Sequence, residues 1–536
     1  GIMKHFSKRI ATFILMFLIL VPFLVTHAQD EKTTLTVGRT YLIDALNPTV
    51  GYYGFNIRGL LYETIVEAAD GSNVEPGLAE SWSVSDDGLV WTFKMREGAT
   101  FSDGTPATAV EAAWTLNWII ENQVPAMVSY LNDITKVEAP DATTLKITVD
   151  TPVSNMISSK LLYIYILPPH IWEGKTAQEI TEFDDPMAVT MGAGPYHLTE
   201  YQPDEYIILD ANENYWRGKP PVDRIIFRQY AGDDALIQAL QAGEIDLIDI
   251  LPPSGVDALK AQENIAVPTG QGFQFSDLVL NSSPDGTAPA SLKDPAVRQA
   301  IDHAIDREQI ATVGYLGYAH PAATFLSPAS GDFFDSDLQP ATYDIAAANK
   351  ILDDAGYLDS DGDGVREDKD GNPMEYRLYT DDSSAYYIRI LQIVSDGLAQ
   401  IGISAPPLAQ NTDFLVSTQI DYDFDIIYYE WNPDTDPGFL TSVFTCAETA
   451  DGGWNDSGYC NPEYDKLYEA QSTAVKPEDR KAVLWKIQET IANDRPWIMV
   501  NYLDALAAYR SDRFTFDPKL PLSGLKWALF TGFSVT

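Results

Sequence analysis

The chain has 536 residues, 45% of them hydrophobic, and its 78 acidic residues outnumber 35 Lys and Arg to give a formal charge of −43. That length exceeds one hydrophobic core, so two or three domains are expected. The acidic surface repels nucleic acid and anionic membrane, which excludes both as partners, and mildly favours cationic or zwitterionic solutes.

The N-terminus carries Lys4, Lys8 and Arg9, then an apolar run over 10–25, then Thr26, His27 and Ala28. A positive region, an apolar region and small residues at the last and third-last positions form the pattern of a secretory signal peptide over 1–28, cleaved after Ala28. Its removal leaves a charge of −46, since residues 1–28 contain no acid. No cysteine lies near the cleavage point, so a lipid anchor is not expected. No later run is long and apolar enough to cross a bilayer. A soluble protein exported to the periplasm or cell exterior is expected.

Alternation predicts a strand near 35–37, and the spacing of Ile57, Leu60, Leu61 and Ile65 predicts a helix over 55–66. Strands are predicted at 91–95, 206–209 and 225–229, with helices at 108–120 and at 235–242, the latter stopped by Gly243. Asp86-Asp87-Gly88 and Ser102-Asp103-Gly104 are turn chemistry. A Ser/Pro/Asp/Gly-rich stretch over 281–293 marks a change of region, after which Asp294-Pro295 opens a helix predicted to run to about Val313. Strands follow at 424–429 and 497–502. This mixture predicts an α/β fold. Cys446 and Cys460, the only cysteines, lie in a Gly/Asn/Asp-rich loop, and in an oxidising compartment they read as a disulfide.

Several blocks are more specific. LYETIV at 61–66, PGLAESW at 76–82, SDDG at 85–88, WTFKMREG at 91–98 and FSDGTP at 101–106 resemble the signature region of the family 5 extracellular solute-binding proteins, the peptide/nickel-binding group of ABC importers. GAGPY at 192–196, NYWRGKPP at 214–221, ALQAGEID at 239–246, DPAVRQAI at 294–301 with AIDR at 304–307, and NPEYD at 461–465 continue the resemblance in family order. One departure is Ser102, where the family usually carries His.

The resemblance implies a bilobed periplasmic-binding-protein clamshell of the cluster C type, with mixed β-sheets flanked by helices. Lobe I is expected over 29–282, including an extra subdomain at about 62–190. Lobe II is expected over 283–501, with 502–536 returning to lobe I. A solute would bind between the lobes, the hinge would close over it, and the closed monomer would dock on the transmembrane subunits of an ABC permease. The ATPase lies elsewhere, because this chain has no Gly-x4-Gly-Lys-Ser/Thr loop.

In peptide-binding relatives an aspartate in a Trp…Asp…Asp-Pro loop holds the peptide α-ammonium. Here that loop is WNPDTDP at 431–437, one residue shorter, so Asp434 matches best and Asp436 is its rival, with Trp431 and Asn432 beside them. A carboxylate suits an ammonium through a charge-assisted hydrogen bond. Arg389, after SSAYY at 383–387, is a candidate for a ligand carboxylate or a solvent-facing helix residue. Trp454 and Tyr459 are candidate cleft walls. The DSDGDG run at 359–364 resembles the start of a calcium loop, with Asp359, Asp361, Asp363, Val365, Glu367 and Asp370 as ligands, or else is a solvated acidic hairpin. No other cofactor is expected. The sequence carries no catalytic serine elbow and no His-x-x-x-His pair, so no enzyme is expected. Oligosaccharide, nickel or haem as ligand, and a sensing receptor uncoupled from transport, stay open.

Overall fold

A computed structural model describes residues 32–51 and 54–536. The proposed signal peptide lies outside the described residues. Among them, no helix is long and apolar enough to cross a membrane.

Two large mixed sheets organise the chain. The first has seven strands in the spatial order Ile265–Ala266, Ala508–Arg510, Leu247–Ile248, Thr34–Arg39, Arg224–Gln229, Tyr206–Ala211, Tyr196–Gln202. The second has six, ordered Ala319–Pro321, Trp497–Leu506, Thr269–Leu280, Ile426–Trp431, Leu378–Asp381, Pro407–Gln410. A four-stranded antiparallel sheet of Ala79–Val84, Val90–Met95, Thr144–Val149 and Ile134–Asp141 forms the extra subdomain, covered by the helix Ala109–Asn122. That helix starts at a capping box, with Thr108 as N-cap and Glu111 answering it.

The lobes exchange chain in two adjacent segments. The Thr269–Leu280 strand belongs to the second sheet, so the crossing falls ahead of 269 rather than at 283. The return falls after Leu506 rather than after 501. Thr269, Gly270 and Gln271 pair with Leu506, Ala505 and Asp504, which makes the crossing a narrow two-stranded hinge. The tail then docks on lobe I. Lys526, in the helix Leu520–Thr531, lies half-buried against Glu63 at 2.8 Å and against Glu67.

Two predicted helices are shorter than their periodicity suggests. The first spans Phe55–Leu61 and stops before Tyr62. The run from Pro295 ends at His303, and a new turn starts at Arg307. Asp306 causes that restart, because its carboxylate accepts from the Gln309 N–H at 3.0 Å and so caps a fresh helix.

The GAGPY block has a packing reason. A Cβ on Gly192 would stand 2.2 Å from the Leu61 carbonyl oxygen, and one on Gly194 would stand 2.5 Å from the Leu61 carbonyl carbon. Only glycine lets this loop lie flat on the end of the Phe55–Leu61 helix, and the Gly194 N–H donates to Leu61 O at 3.0 Å.

Candidate ligand-binding site

The Leu378–Asp381 and Ile426–Trp431 strands run parallel, and the C-terminal end of the second leads toward lobe I. Ligands of open α/β sheets bind at such carboxyl ends. The 431–437 loop continues from the second of these strands and meets the first lobe at three points. Ser72 Oγ donates to Thr435 O at 2.7 Å, Tyr163 Oη donates to Asp434 Oδ1 at 3.4 Å, and Ser158 Oγ donates to Asp436 Oδ2. The lobes are therefore in contact across this loop. A cavity of about 780 Å³ lies beside it, lined by Asp70, Ser72 and Asn73 of lobe I and by Pro328, Phe333 and Lys481 of lobe II.

The two candidate aspartates separate cleanly. Asp436 is 3% exposed, and Arg480 grips it through two hydrogen bonds of 2.6 and 2.9 Å. The Gly438 N–H adds a third at 2.7 Å. Burial pushes the Asp436 carboxyl up, but the Arg480 charge and these hydrogen bonds outweigh it and hold the carboxyl below its usual value. Its charge is spent on Arg480, which removes it as a ligand group. Asp434 has no cationic partner among the described residues and stays open to solvent. Partial burial of the carboxyl where the loop meets lobe I raises it above the usual range, the Tyr163 hydroxyl partly offsets this, and nearby Asp436 adds to the rise. Tyr163 stacks on Tyr130 at 5.3 Å, so a two-ring platform of lobe I faces Asp434.

The other predicted residues fall on both sides of the line. Trp431 is half-buried against Phe275 and Trp497, with ring centroids 6.5 and 5.0 Å away. Asn432 is exposed. Trp454 is 63% exposed and meets the exposed Phe439 edge-on at 5.6 Å, a rim of apolar surface. Tyr459 is no cleft wall: it is 8% exposed, and its hydroxyl donates to Asp494 at 2.5 Å within the lobe II core. Arg389 is exposed on the helix Ala385–Ala399, with no hydrogen bond or ion pair among the described residues. It occupies the solvent-facing alternative. Cys446 and Cys460 form the expected disulfide.

One feature of the strand end escapes sequence reasoning. Glu430 collects hydroxyls from Tyr315 at 2.7 Å, Tyr428 at 3.3 Å, Tyr386 at 3.1 Å and Tyr387 at 3.2 Å. These donors come from three separated stretches, so no local motif announces them. They fix the residue immediately before the 431–437 loop.

Among the described residues one acidic group has metal-binding spacing. The carboxylate oxygens of Asp359, Asp361, Asp363 and Glu367 all lie within 4.8 Å of one another. Asp370 is not among them; it sits in the next turn, where its N–H donates to Asp368 at 2.9 Å. Val365 donates its N–H to Asp363 at 2.8 Å. His170 and His320 each face a single aspartate, and His303 faces a backbone carbonyl. No histidine cluster for nickel is formed among the described residues.

Residues 73–451 match the family described as bacterial extracellular solute-binding proteins, family 5 Middle. The oligopeptide-binding protein AppA of Bacillus subtilis is 26% identical over 88% of this chain and 87% of its own length. The nickel-binding periplasmic protein of Escherichia coli is 26% identical over 85% of this chain and 86% of its own. The ABC transporter substrate-binding protein CtaP of Listeria monocytogenes superimposes with a TM-score of 0.80 at 25% identity, covering 94% of this chain and 100% of that one. The named relatives are binding proteins rather than enzymes. The two-sheet architecture, the hinge and a family match over residues 73–451 lead to one conclusion: this chain belongs to the family 5 extracellular solute-binding proteins of ABC importers.

Proposed function

We propose that the protein captures peptides outside the cytoplasm, closes its lobes over them and delivers them to an ABC permease, performing no chemistry of its own. One observation carries the word "peptide". Of the two carboxylates in the interlobe loop, Asp436 is neutralised by Arg480 and Asp434 is left without a cation, facing lobe I. A bound α-ammonium supplies the missing charge and makes the short charge-assisted hydrogen bond that Asp434 lacks. The named peptide-binding relative supports the same reading. The residues suit a binder that closes by hinge motion: a two-stranded crossing, and polar contacts from Ser72, Ser158 and Tyr163 that join the lobes.

The test is a thermal-shift screen of residues 29–536 with di-, tri- and longer peptides, cello- and xylo-oligosaccharides, and nickel. A ligand at 100 times its dissociation constant adds about 2.7 kcal/mol. Stabilisation by peptides is the expected result. Stabilisation by sugars alone would reject the peptide reading and assign the exposed rings of Trp454 and Phe439 to sugar stacking. We also propose that the Asp359–Glu367 loop takes a structural calcium ion, as the spacing of its carboxylates allows.

A further inference from the structure

Lobe II holds two further carboxylates that no protein cation answers. Asp277 sits in the middle of the Thr269–Leu280 strand, in register with Tyr429 on one side and Met499 on the other. It is fully buried, and neither carboxylate oxygen has a hydrogen-bond partner among the described residues. Its neighbours on the same strand face, Phe275 and Val279, are core residues. A lone carboxylate at such a position breaks the apolar pattern of the face. Asp456, in the loop closed by the Cys446–Cys460 disulfide, is the second acid. It is half-buried, one of its oxygens accepts the Trp497 Nε1–H at 2.9 Å, and its charge acts on Asp277. Neither aspartate takes part in an ion pair among the described residues.

Aromatic rings surround this pair. Trp431 and Trp497 lie 5.0 Å apart, and Tyr429 meets Trp431 edge-on at 5.5 Å. Tyr429 is 43% exposed, so the group opens to solvent on one side. Both aspartate charges act on the Tyr429 hydroxyl, which burial and those charges together raise. The indole N–H of Trp431 is buried and has no acceptor among the described residues. Trp431 also begins the loop that carries Asp434, so this group adjoins the proposed α-ammonium site along the chain.

Burying an ionised carboxylate without counter-charge is costly, so such an acid stays protonated until a cation supplies the missing charge. Aromatic faces beside such acids attract organic cations through the ring quadrupole. We infer that Asp456 and Asp277, walled by Tyr429, Trp431 and Trp497, form a subsite for an organic cation, the lysine or arginine side chain of a bound peptide. Asp456, half-buried in its loop, presents the nearer carboxylate, and Asp277 stands behind it, its carboxyl held neutral by burial until a cation arrives. The carrier of the cation rests on the peptide reading; the preference for positive charge does not.

The experiment measures affinities by calorimetry for Lys-Ala-Ala, Ala-Lys-Ala and Ala-Ala-Lys against the same tripeptides with norleucine for lysine. At one position lysine should bind at least about tenfold tighter than norleucine, the size expected for a charge-assisted contact. Asp277→Asn and Asp456→Asn should each reduce that preference severalfold while leaving the norleucine peptide unchanged. Should Asp277→Asn fail to fold, Asp456→Asn, half-buried and in a loop, carries the test alone. Charge-indifferent binding, or a lysine preference that survives the variants, overturns the subsite. If no peptide binds but cadaverine or free arginine stabilises the wild type and not the variants, the subsite stands and the peptide reading falls. If neither peptides nor amines bind, both fall.

Discussion

Arg480 closes on Asp436 with two hydrogen bonds of 2.6 and 2.9 Å, both residues being 3% exposed, and this pair determines what Asp434 can do two residues earlier. Arg480 lies in the helix Pro477–Asp494 of lobe II, Ser158 reaches Asp436 from lobe I, and Gly438 caps it from behind. The loop is thereby pinned at its C-terminal end, and the remaining carboxylate is turned to the cleft. Breaking one member leaves a buried charge uncompensated. Arg480→Ala or Asp436→Ala should therefore cost about 3–5 kcal/mol in urea denaturation, and the double change Asp436→Leu with Arg480→Met should cost less than either. Single-variant costs under about 1 kcal/mol would show the pair to be dispensable.

Asp434 should behave differently. Asp434→Ala is expected to leave stability nearly unchanged and to weaken free peptides by about 1.5–3 kcal/mol, with little effect on N-acetylated ones. The carboxyl is raised in the unliganded protein, and an ammonium binds only its ionised form. Affinity should therefore fall as pH is lowered through that raised value, whereas Asp434→Asn should give a flat profile. Calorimetry across pH reads both, and equal loss for free and acetylated peptides would remove Asp434 from the α-ammonium role.

Asp456 gives the opposite kind of pH effect, on stability. Burial pushes its carboxyl up to about 7, with Asp277, Tyr422 and Tyr429 as the titratable groups facing it. An unfolded aspartate titrates near 3.9. Between about 4 and 7 the folded protein holds a proton that the unfolded chain has lost, so stability falls as pH rises through that window. The slope is at most about 1.4 kcal/mol per pH unit. Asp456→Asn should remove this contribution, so the wild-type-minus-variant difference in urea stability should decline from pH 4 to 7. A constant difference would place the Asp456 carboxyl in the ordinary range.

For the acidic loop, millimolar calcium should raise the Tm of the wild type and not that of the Asp359→Asn/Asp363→Asn variant, with magnesium far weaker because it demands tighter octahedral geometry. The same loop backs onto Arg366, whose guanidinium donates to Ile401 O at 2.8 Å and Asp353 at 2.6 Å. Ion binding there should stabilise lobe II without changing peptide affinity. No calcium-dependent shift would leave the loop as a solvated hairpin.

The sequence determined those features whose causes are local or repeated in order along the chain. The Thr108 capping box and the Gly243 stop at φ 77° each need only a few neighbouring residues. The block order sufficed for the family, and with it the two lobes. The tertiary structure decided the charge pairing. Spacing favours Asp434 but leaves Asp436 as a rival, and Arg480, 44 residues on, separates the two by pairing with Asp436. Arg389 and Tyr459 failed as cleft residues because exposure and burial belong to the folded surface, not to the motif. Glu430 with its four tyrosines, and Asp277 with Asp456, come from segments far apart in the chain. A carboxylate's role depends on which charges and how much water surround it, and those are fixed only when distant strands and loops are packed together.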